Sequence, residues 1–411
     1  MQLKTGPFCP RRIVVVGTGY VGLPAALMWA KAGIRVVGVD IDENVVRAIN
    51  EHTMLLNEEK LHELMRDPLV AENLIAQHKP SEGDVFVIAV PTPVHPLRKV
   101  ADLGAVEAAL DSICPVLKPG NLVILESTVP PMTCRELAAP LLTRRTGLSV
   151  PGDIMLAHCP ERILPGDIWK EIVKNDRLIG GMDERSTNAA KAVYATFVRG
   201  TLIETNDLVA ELTKLMENTY RDVNIALANE FSLICERLGV DTLDAVRLAN
   251  RHPRVNILNP GIGVGGHCIP VDPWFLKEVA PYESRLIAAA RLVNDEMPAR
   301  VASKIRQTIK DVHGARILAL GAGYKRNCED VRESPAIEIV RVLRTEGFDV
   351  AHRDPLVKGM DYQSLVHEAH GRDLIAILVN HDTVRTDLEA NRAAICAAMR
   401  TPRIVLYDKT L

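Results

Sequence analysis

Apolar positions along this chain fall into short β-branched runs separated by stretches with helical spacing. Residues 12–16 (RIVVV) end at Gly17, an apolar helical stretch runs on to Ala32, Gly33 breaks it, and IRVVGVD follows as a second apolar strand. That order predicts a βαβ unit. Further strands are expected near Val85–Val90, Leu122–Glu126 and Ile154–His158, with helical patterns such as Leu103–Val116 between them. Continuous apolar strands alternating with helices predict a parallel sheet covered on both faces. A long helix candidate runs from Asn206 to Leu238, with Asn206 or Asp207 as its cap and Gly239 just beyond its end. Thr242–Ala249 and Tyr282–Asp311, the latter with Pro298 as a candidate kink, make the middle of the chain helical.

ARILALGAGY, ESPAIEIVRVLRTEG and FDVAHRDP then repeat the strand, helix and strand of the start. RRIVVVGTGYVG and ARILALGAGYKR align strand for strand, which predicts a second Rossmann-like domain at the C-terminus. The expected class is therefore α/β, two doubly wound Rossmann-like domains joined by a long central helix, divided at 1–204, 205–312 and 313–411.

The glycines of the first copy carry chemistry. Gly17, Gly19 and Gly22 follow a strand, open a helix and precede Asp40 at the tip of the next strand. Gly17 allows the tight turn, Gly19 lets backbone approach a pyrophosphate, and Gly22 lets the helix pack closely while its N-terminal amides face the phosphates. Tyr20 and Val21, in the same turn, are counted as cofactor contacts. Asp40 can accept both ribose hydroxyls and would repel a 2′-phosphate, so NAD is expected rather than NADP. Thr92, in Val90-Pro91-Thr92-Pro93, stands at a strand's carboxyl end beside the expected cofactor, although a proline-rich turn without function fits the spacing equally well. The second copy has Arg326 where the first has Gly22, beside Lys325; it is unsuited to a pyrophosphate on a helix end and suited to meeting an anion with side chains.

Composition narrows the partners. The chain has 411 residues, 47% hydrophobic and 25% charged, with a formal net charge of −3, which gives no reason to expect nucleic acid. Eight cysteines never fall as Cys-x-x-Cys, so neither a zinc site nor a disulfide framework is expected, and they read as reduced cytoplasmic thiols. Arg11-Arg12 ahead of the apolar stretch Ile13–Ala30 imitates a signal peptide, but three glycines and Pro24 inside it, and the strand after it, argue for folded structure and against a membrane or export role.

Two further patterns point to catalysis. Lys214, Asn218 and Asp222 recur at steps of four on the long helix, forming one polar stripe with Arg221 at its edge. A solvated face with salt bridges is the plain alternative. Downstream, NPGIGVGGHCIPVDP packs four glycines into the loop ending on Cys268. Glycines of that density let backbone amides close on a ligand, and a nearby cation would lower the thiol pKa and make a nucleophile.

GTGYVGLP, ESTVPP, PERILPG, ELTKLMENTYRDVNIALANE, GVGGHCIPVDP and GAGYKRNCEDVRESPA together resemble the UDP-glucose/GDP-mannose dehydrogenase family over nearly the whole chain. The resemblance implies a cytoplasmic NAD-dependent enzyme that oxidises a nucleotide sugar's primary alcohol to a carboxylate in two steps, and a homodimer built on the central helix. Carried over, it makes Cys268 the nucleophile of a thioester intermediate, Lys214 and Asn218 the groups around the reacting oxygen, and Asp272 and Glu161 partners in handling water. It further implies Thr128 and Arg332 at the cofactor, and Arg162, Ile163, Tyr324 and Lys325 at the substrate.

Members acting on UDP-glucose usually carry lysine before the aspartate of the cysteine motif, where this chain has Val271. His252-Pro253-Arg254 ahead of the loop resembles the branch acting on UDP-N-acetylmannosamine, with His252, Arg254, Gly263 and Arg221 as substrate contacts; UDP-N-acetylglucosamine is the alternative substrate. Outside this class, a non-catalytic dinucleotide sensor would need the glycines and Asp40 but not the lysine, asparagine and cysteine together, and a β-hydroxyacid dehydrogenase would stop after one oxidation.

Overall fold

The computed structural model describes residues 8–54, 58–163 and 168–407. The chain divides into two compact units, 1–216 and 217–411.

The first unit is built on eight strands: β1 (Arg12–Val16), β2 (Arg35–Val39), β3 (Leu74–Gln77), β4 (Val85–Ile88), β5 (Leu122–Leu125), β6 (Met155–His158), β7 (Arg177–Gly181) and β8 (Leu202–Asn206), in the order β3-β2-β1-β4-β5-β6-β7-β8. β1 lies between β2 and β4 in parallel register, so the chain reverses direction across the sheet at the end of β1. That reversal puts a crevice where a doubly wound sheet takes its ligand. The central strands β1, β2, β4 and β5 are apolar along their buried positions because both faces are covered. Ile13 and Val15 enter one core with Trp29 and Tyr194, while Val14 and Val16 enter the other with Phe86 and Leu110. The expected strands pair in parallel throughout, and β7, which the sequence pattern does not announce, joins β6 antiparallel, His158 opposite Gly180. Gly180 allows it: a Cβ there would stand 3.0 Å from the His158 carbonyl oxygen and 2.7 Å from that of Asn206.

The long helix runs Asp207–Leu238. Asn206 closes β8 and also caps this helix, its Oδ1 accepting from the Val209 amide at 2.9 Å.

In the second unit four parallel strands, β9 (Arg316–Leu320), β10 (Asp349–Arg353), β11 (Leu374–Ile377) and β12 (Ile404–Leu406), take the order β10-β9-β11-β12. Ile317 and Ala319 face one core, Leu318 and Leu320 the other, repeating the two-sided burial of β1. The helix Arg285–Thr308 runs through Pro298 as one element. It carries Arg291, whose Nη1 donates to Asp222 Oδ1 at 2.5 Å, and Asn294, which bonds Asp222 and Asn229. Asn229 in turn accepts from the Gly261 amide at 2.9 Å, tying the glycine loop to the long helix.

Candidate active site

In the first unit the turn after β1 is built for close approach. Gly17 takes φ of +90°, and a Cβ on Gly22 would lie 1.9 Å from the Gly17 carbonyl oxygen, so the first helix, Gly22–Lys31, can begin there only with glycine. A Cβ on Gly19 would meet nothing within 4 Å, which leaves the space above the turn clear. Tyr20 and Val21 lie in this turn, partly exposed. Asp40 stands at the tip of β2 with Oδ2 accepting from the Thr18 amide and hydroxyl, both at 2.9 Å. The residues present fit a dinucleotide: an amide-rich turn, a helix N-terminus and an acid held at the ribose position by Thr18.

Beyond β4 and β5, Thr92 Oγ1 donates to the Thr128 carbonyl at 2.7 Å. Two residues far apart in sequence are thus joined on neighbouring strand ends of the same sheet edge. ESTVPP continues into a π-helical turn at Cys134–Ala138, whose first amides are met by Glu211: Met132 N donates at 2.7 Å and Cys134 N at 2.8 Å. Burial pushes the Glu211 carboxyl up to about 7, against the pull of those amides.

Glu161 follows β6, nearly buried, with Oε1 accepting from the Arg162 amide at 2.7 Å and Oε2 paired with Arg177. Arg177 also donates to Glu126 Oε1 at 2.6 Å and lies 4.3 Å over the Tyr194 ring, whose hydroxyl bonds the same Glu126 oxygen. Burial pushes the Glu126 carboxyl above its usual range despite the guanidinium beside it. Arg162 reaches the Asp176 carbonyl at 2.9 Å, and Ile163 packs its side chain on the core. Leu164, Pro165 and Gly166 of the same motif lie outside the described residues. His158, fully buried at the end of β6, is pushed down to about 3 by burial, with the Lys214 ammonium acting in the same direction, so its imidazole is neutral.

In the second unit, Cys268 sits just ahead of the helix Asp272–Val279, and the Asp272 amide donates to the Cys268 carbonyl at 2.9 Å. The Asp272 carboxylate, 3% exposed, accepts from Asn218 Nδ2 at 2.6 Å. Sequence positions 218, 268 and 272 are thereby gathered within one unit. The polar stripe has a different meaning from a solvated face, because Asn218 and Asp222 are both buried and Asp222 is taken up by Arg291. Arg221, His252 and Arg254 are exposed.

The glycines before Cys268 are required by packing. A Cβ on Gly265 would come within 2.7 Å of the Glu333 carbonyl oxygen and 2.9 Å of Tyr324 Cβ, and one on Gly266 within 3.1 Å of the Tyr324 ring. Gly263 is similarly close to Pro335, at 3.1 Å. Tyr324 therefore lies directly against the cysteine loop. Burial raises its hydroxyl pKa, and the neighbouring Cys328, Asp330 and Cys268 push the same way. Lys325 Nζ stands 5.7 Å from the Tyr324 ring centre. Arg326, expected to meet an anion, is instead paired with Asp382, and Arg332 forks onto Asp330 at 2.6–3.0 Å.

Three family models match in order: the NAD binding domain of the UDP-glucose/GDP-mannose dehydrogenase family at 11–198, its central domain at 208–296 and its UDP binding domain at 318–408. The chain belongs to this family. It is accordingly an NAD-dependent nucleotide-sugar dehydrogenase. Among its relatives, a UDP-N-acetyl-D-mannosamine dehydrogenase of Methanocaldococcus jannaschii is 47% identical over 98% of this chain and 92% of its own length. An NDP-N-acetyl-D-galactosaminuronic acid dehydrogenase of Ralstonia solanacearum is 44% identical over 94% of this chain and 95% of its own. The solved UDP-D-ManNAc dehydrogenase of Pyrococcus horikoshii superposes with a TM-score of 0.92 at 40% identity, covering 97% and 96% of the two chains. Among the described residues no helix is long and apolar enough to cross a membrane.

Proposed function

We propose that this enzyme oxidises the C6 primary alcohol of a UDP-N-acetylhexosamine to the carboxylate through a thioester on Cys268, with UDP-N-acetylmannosamine as its substrate. The observation that carries the thioester is the Asn218–Asp272 hydrogen bond beside Cys268, a buried amide and carboxylate at the nucleophile's own loop. The UDP-N-acetyl-D-mannosamine dehydrogenases at 47% and 41% identity support the sugar. NAD, on Gly17, Gly19, Gly22, Asp40, Thr92 and Thr128, with Arg332 as a further contact, supplies the electron acceptor for both oxidations.

The chain's own groups do the rest. Cys268, as thiolate, adds to the aldehyde carbon and forms a thiohemiacetal, whose alkoxide takes the Lys214 ammonium and Asn218 amide as donors. Lys214 and Asn218 are one turn apart on the same helix, so both project along one stripe. The second oxidation leaves the thioester. Water then attacks its carbonyl, Asp272 and Glu161 orient that water, and the acyl C–S bond breaks, returning Cys268 as thiolate as the carboxylate forms. Arg162, Ile163, Arg221, His252, Arg254, Gly263, Tyr324 and Lys325 are assigned to the nucleotide sugar. The parts of the chain correspond to 1–204 for the cofactor, 205–312 for catalysis and dimerisation, and 313–411 for the nucleotide sugar, in a cytoplasmic homodimer.

Cys268→Ser tests the thioester. A serine hydroxyl is hardly ionised at neutral pH, so the variant is expected to bind NAD and substrate while losing carboxylate formation by a hundred-fold or more, as order of magnitude for losing the nucleophile. The unmodified enzyme is expected to yield two NADH per sugar consumed; one NADH and a free aldehyde would refute the proposal. Running UDP-N-acetylmannosamine beside UDP-N-acetylglucosamine and UDP-N-acetylgalactosamine ranks the sugars directly.

A further inference from the structure

The two Rossmann copies use the same acid in opposite ways. After β1, Gly17 N donates to the Val39 carbonyl at 2.8 Å and Thr18 N to Asp40 Oδ2 at 2.9 Å. After β9, Gly321 N donates to the Arg353 carbonyl at 2.9 Å and Ala322 N to Asp354 Oδ2 at 2.5 Å. Gly17 and Gly321 share a φ of +90°. Asp354 is thus the counterpart of Asp40, the acid a dinucleotide ribose would need.

Asp40 is half-exposed, whereas Asp354 is 1% exposed and saturated with donors. Its Oδ2 accepts from Ala322 N, from Gly323 N at 3.3 Å and from His381 Nε2 at 3.0 Å. Its Oδ1 accepts from the Leu356 and Val357 amides at 2.8 and 3.1 Å. Burial works against the charge, yet the bonds from His381, Ala322 and Leu356 hold the carboxyl down at about 2. No acceptor is left for a ribose. His381, itself fully buried, accepts the Asn327 amide on Nδ1 at 2.9 Å, so its proton must sit on Nε2, facing Asp354. One buried pair therefore fastens both ends of the turn 322–327, and Tyr324 and Lys325 lie between the fastenings.

We propose that Asp354 and His381 are positioning residues for the nucleotide sugar: they touch no substrate but hold the 322–327 turn in the form that presents Tyr324 and Lys325 to its UDP moiety. This rests on the reading of Tyr324 and Lys325 as substrate contacts. A turn already ordered before binding removes the entropy that would otherwise be lost on complex formation. The tautomer makes the arrangement strict. Asp354→Asn would turn an amide donor toward Nε2 or one of the backbone amides, and His381→Ala would remove the acceptor of the Asn327 amide, leaving that end of the turn to the Asp382 contacts of Asn327 and Arg326.

The test uses the intact enzyme, with UDP as the calorimetric probe and UDP-N-acetylmannosamine and NAD in steady-state assays. His381→Ala and Asp354→Asn should each weaken UDP binding and raise the nucleotide-sugar KM by about tenfold or more. Saturated kcat and the KM for NAD should stay within about twofold, and the double variant should be no worse than either single one. His381→Asn, which keeps an acceptor for the Asn327 amide, should recover part of the loss and serves if His381→Ala does not fold. A lower melting temperature with unchanged UDP affinity and KM overturns the proposal, as does a parallel fall in kcat and rise in the KM for NAD. Lys325→Ala and Tyr324→Phe separate the two readings. If they weaken UDP binding and the 354 and 381 variants do not, positioning is wrong; if none of the four weakens it, the turn is no substrate contact.

Discussion

At the residue scale the clearest consequence belongs to Asp40, which keeps its carboxylate at the tip of β2 by accepting two hydrogen bonds from Thr18. Asp40→Asn retains an acceptor for Thr18 but removes the charge that would repel a 2′-phosphate. The expected outcome is a preference for NAD over NADP that narrows by about tenfold or more in kcat/KM, chiefly through better use of NADP; an unchanged ratio would assign discrimination elsewhere. This residue stands out as a candidate in the sequence because glycine spacing, strand and acid all lie within one βαβ unit. Cys268 stands out as a candidate for a similar reason, since its glycine-rich loop is local, whereas the packing of those glycines is not legible: the Tyr324 ring against Gly266 belongs to a segment far along the chain. Asp222 was misleading for the same physical reason. Its spacing matches Lys214 and Asn218, but its partner Arg291 is 69 residues away on another helix, and no periodicity announces a buried ion pair.

At the element scale, what sequence conveyed best were strands buried on both faces, because β1, β2, β4, β5 and β6 are apolar runs, with polar residues only at their ends, Arg12, Arg35 and His158. β3, β7 and β8 were not foreseen. β8 (LIETN) is polar and largely exposed, and β7 (RLIGG) opens on a charged residue. That opening residue is Arg177, and it binds elements together: Glu126 after β5, Glu161 after β6 and Tyr194 in the helix Glu184–Tyr194 all converge on its guanidinium. Two carboxylates buried around one cation tolerate the low dielectric only while the cation is present. Arg177→Met keeps most of the volume and removes the charge, so it should destabilise the first unit by roughly 3–5 kcal/mol, the range found when one partner of a buried ion pair is deleted. Urea unfolding followed through Trp29, which is fully buried 5.6 Å from the Tyr194 ring, reads this directly. A loss under about 1 kcal/mol would mean that water or proton uptake neutralises the pair at little cost.

At the scale of the whole molecule, the remaining question is what covers the outer face of the long helix. Val209, Leu212, Met216, Tyr220, Leu227, Ile234 and Leu238 are all exposed, the last by 70%, and they recur at steps of three, four and seven along Asp207–Leu238. Such steps keep side chains on one face, and at 1.5 Å per residue the stripe is about 45 Å long. A monomer rarely leaves so continuous an apolar surface in water. A second copy related by a two-fold axis would cover it with an identical stripe, and a helix pair of that length, with its flanks, is on the scale of the roughly 1,600 Å² of a stable interface. Light scattering on the unmodified chain should therefore give twice 45.2 kDa across the micromolar range. Leu227→Glu with Ile234→Glu places two charges on each copy of the stripe, facing apolar surface and one another across the axis. The double variant should scatter as a 45.2 kDa species while keeping NAD binding, since neither residue belongs to the cofactor turn. A monomeric mass for the unmodified chain would refute the dimer, and a dimer that survives both glutamates would move its interface off this helix.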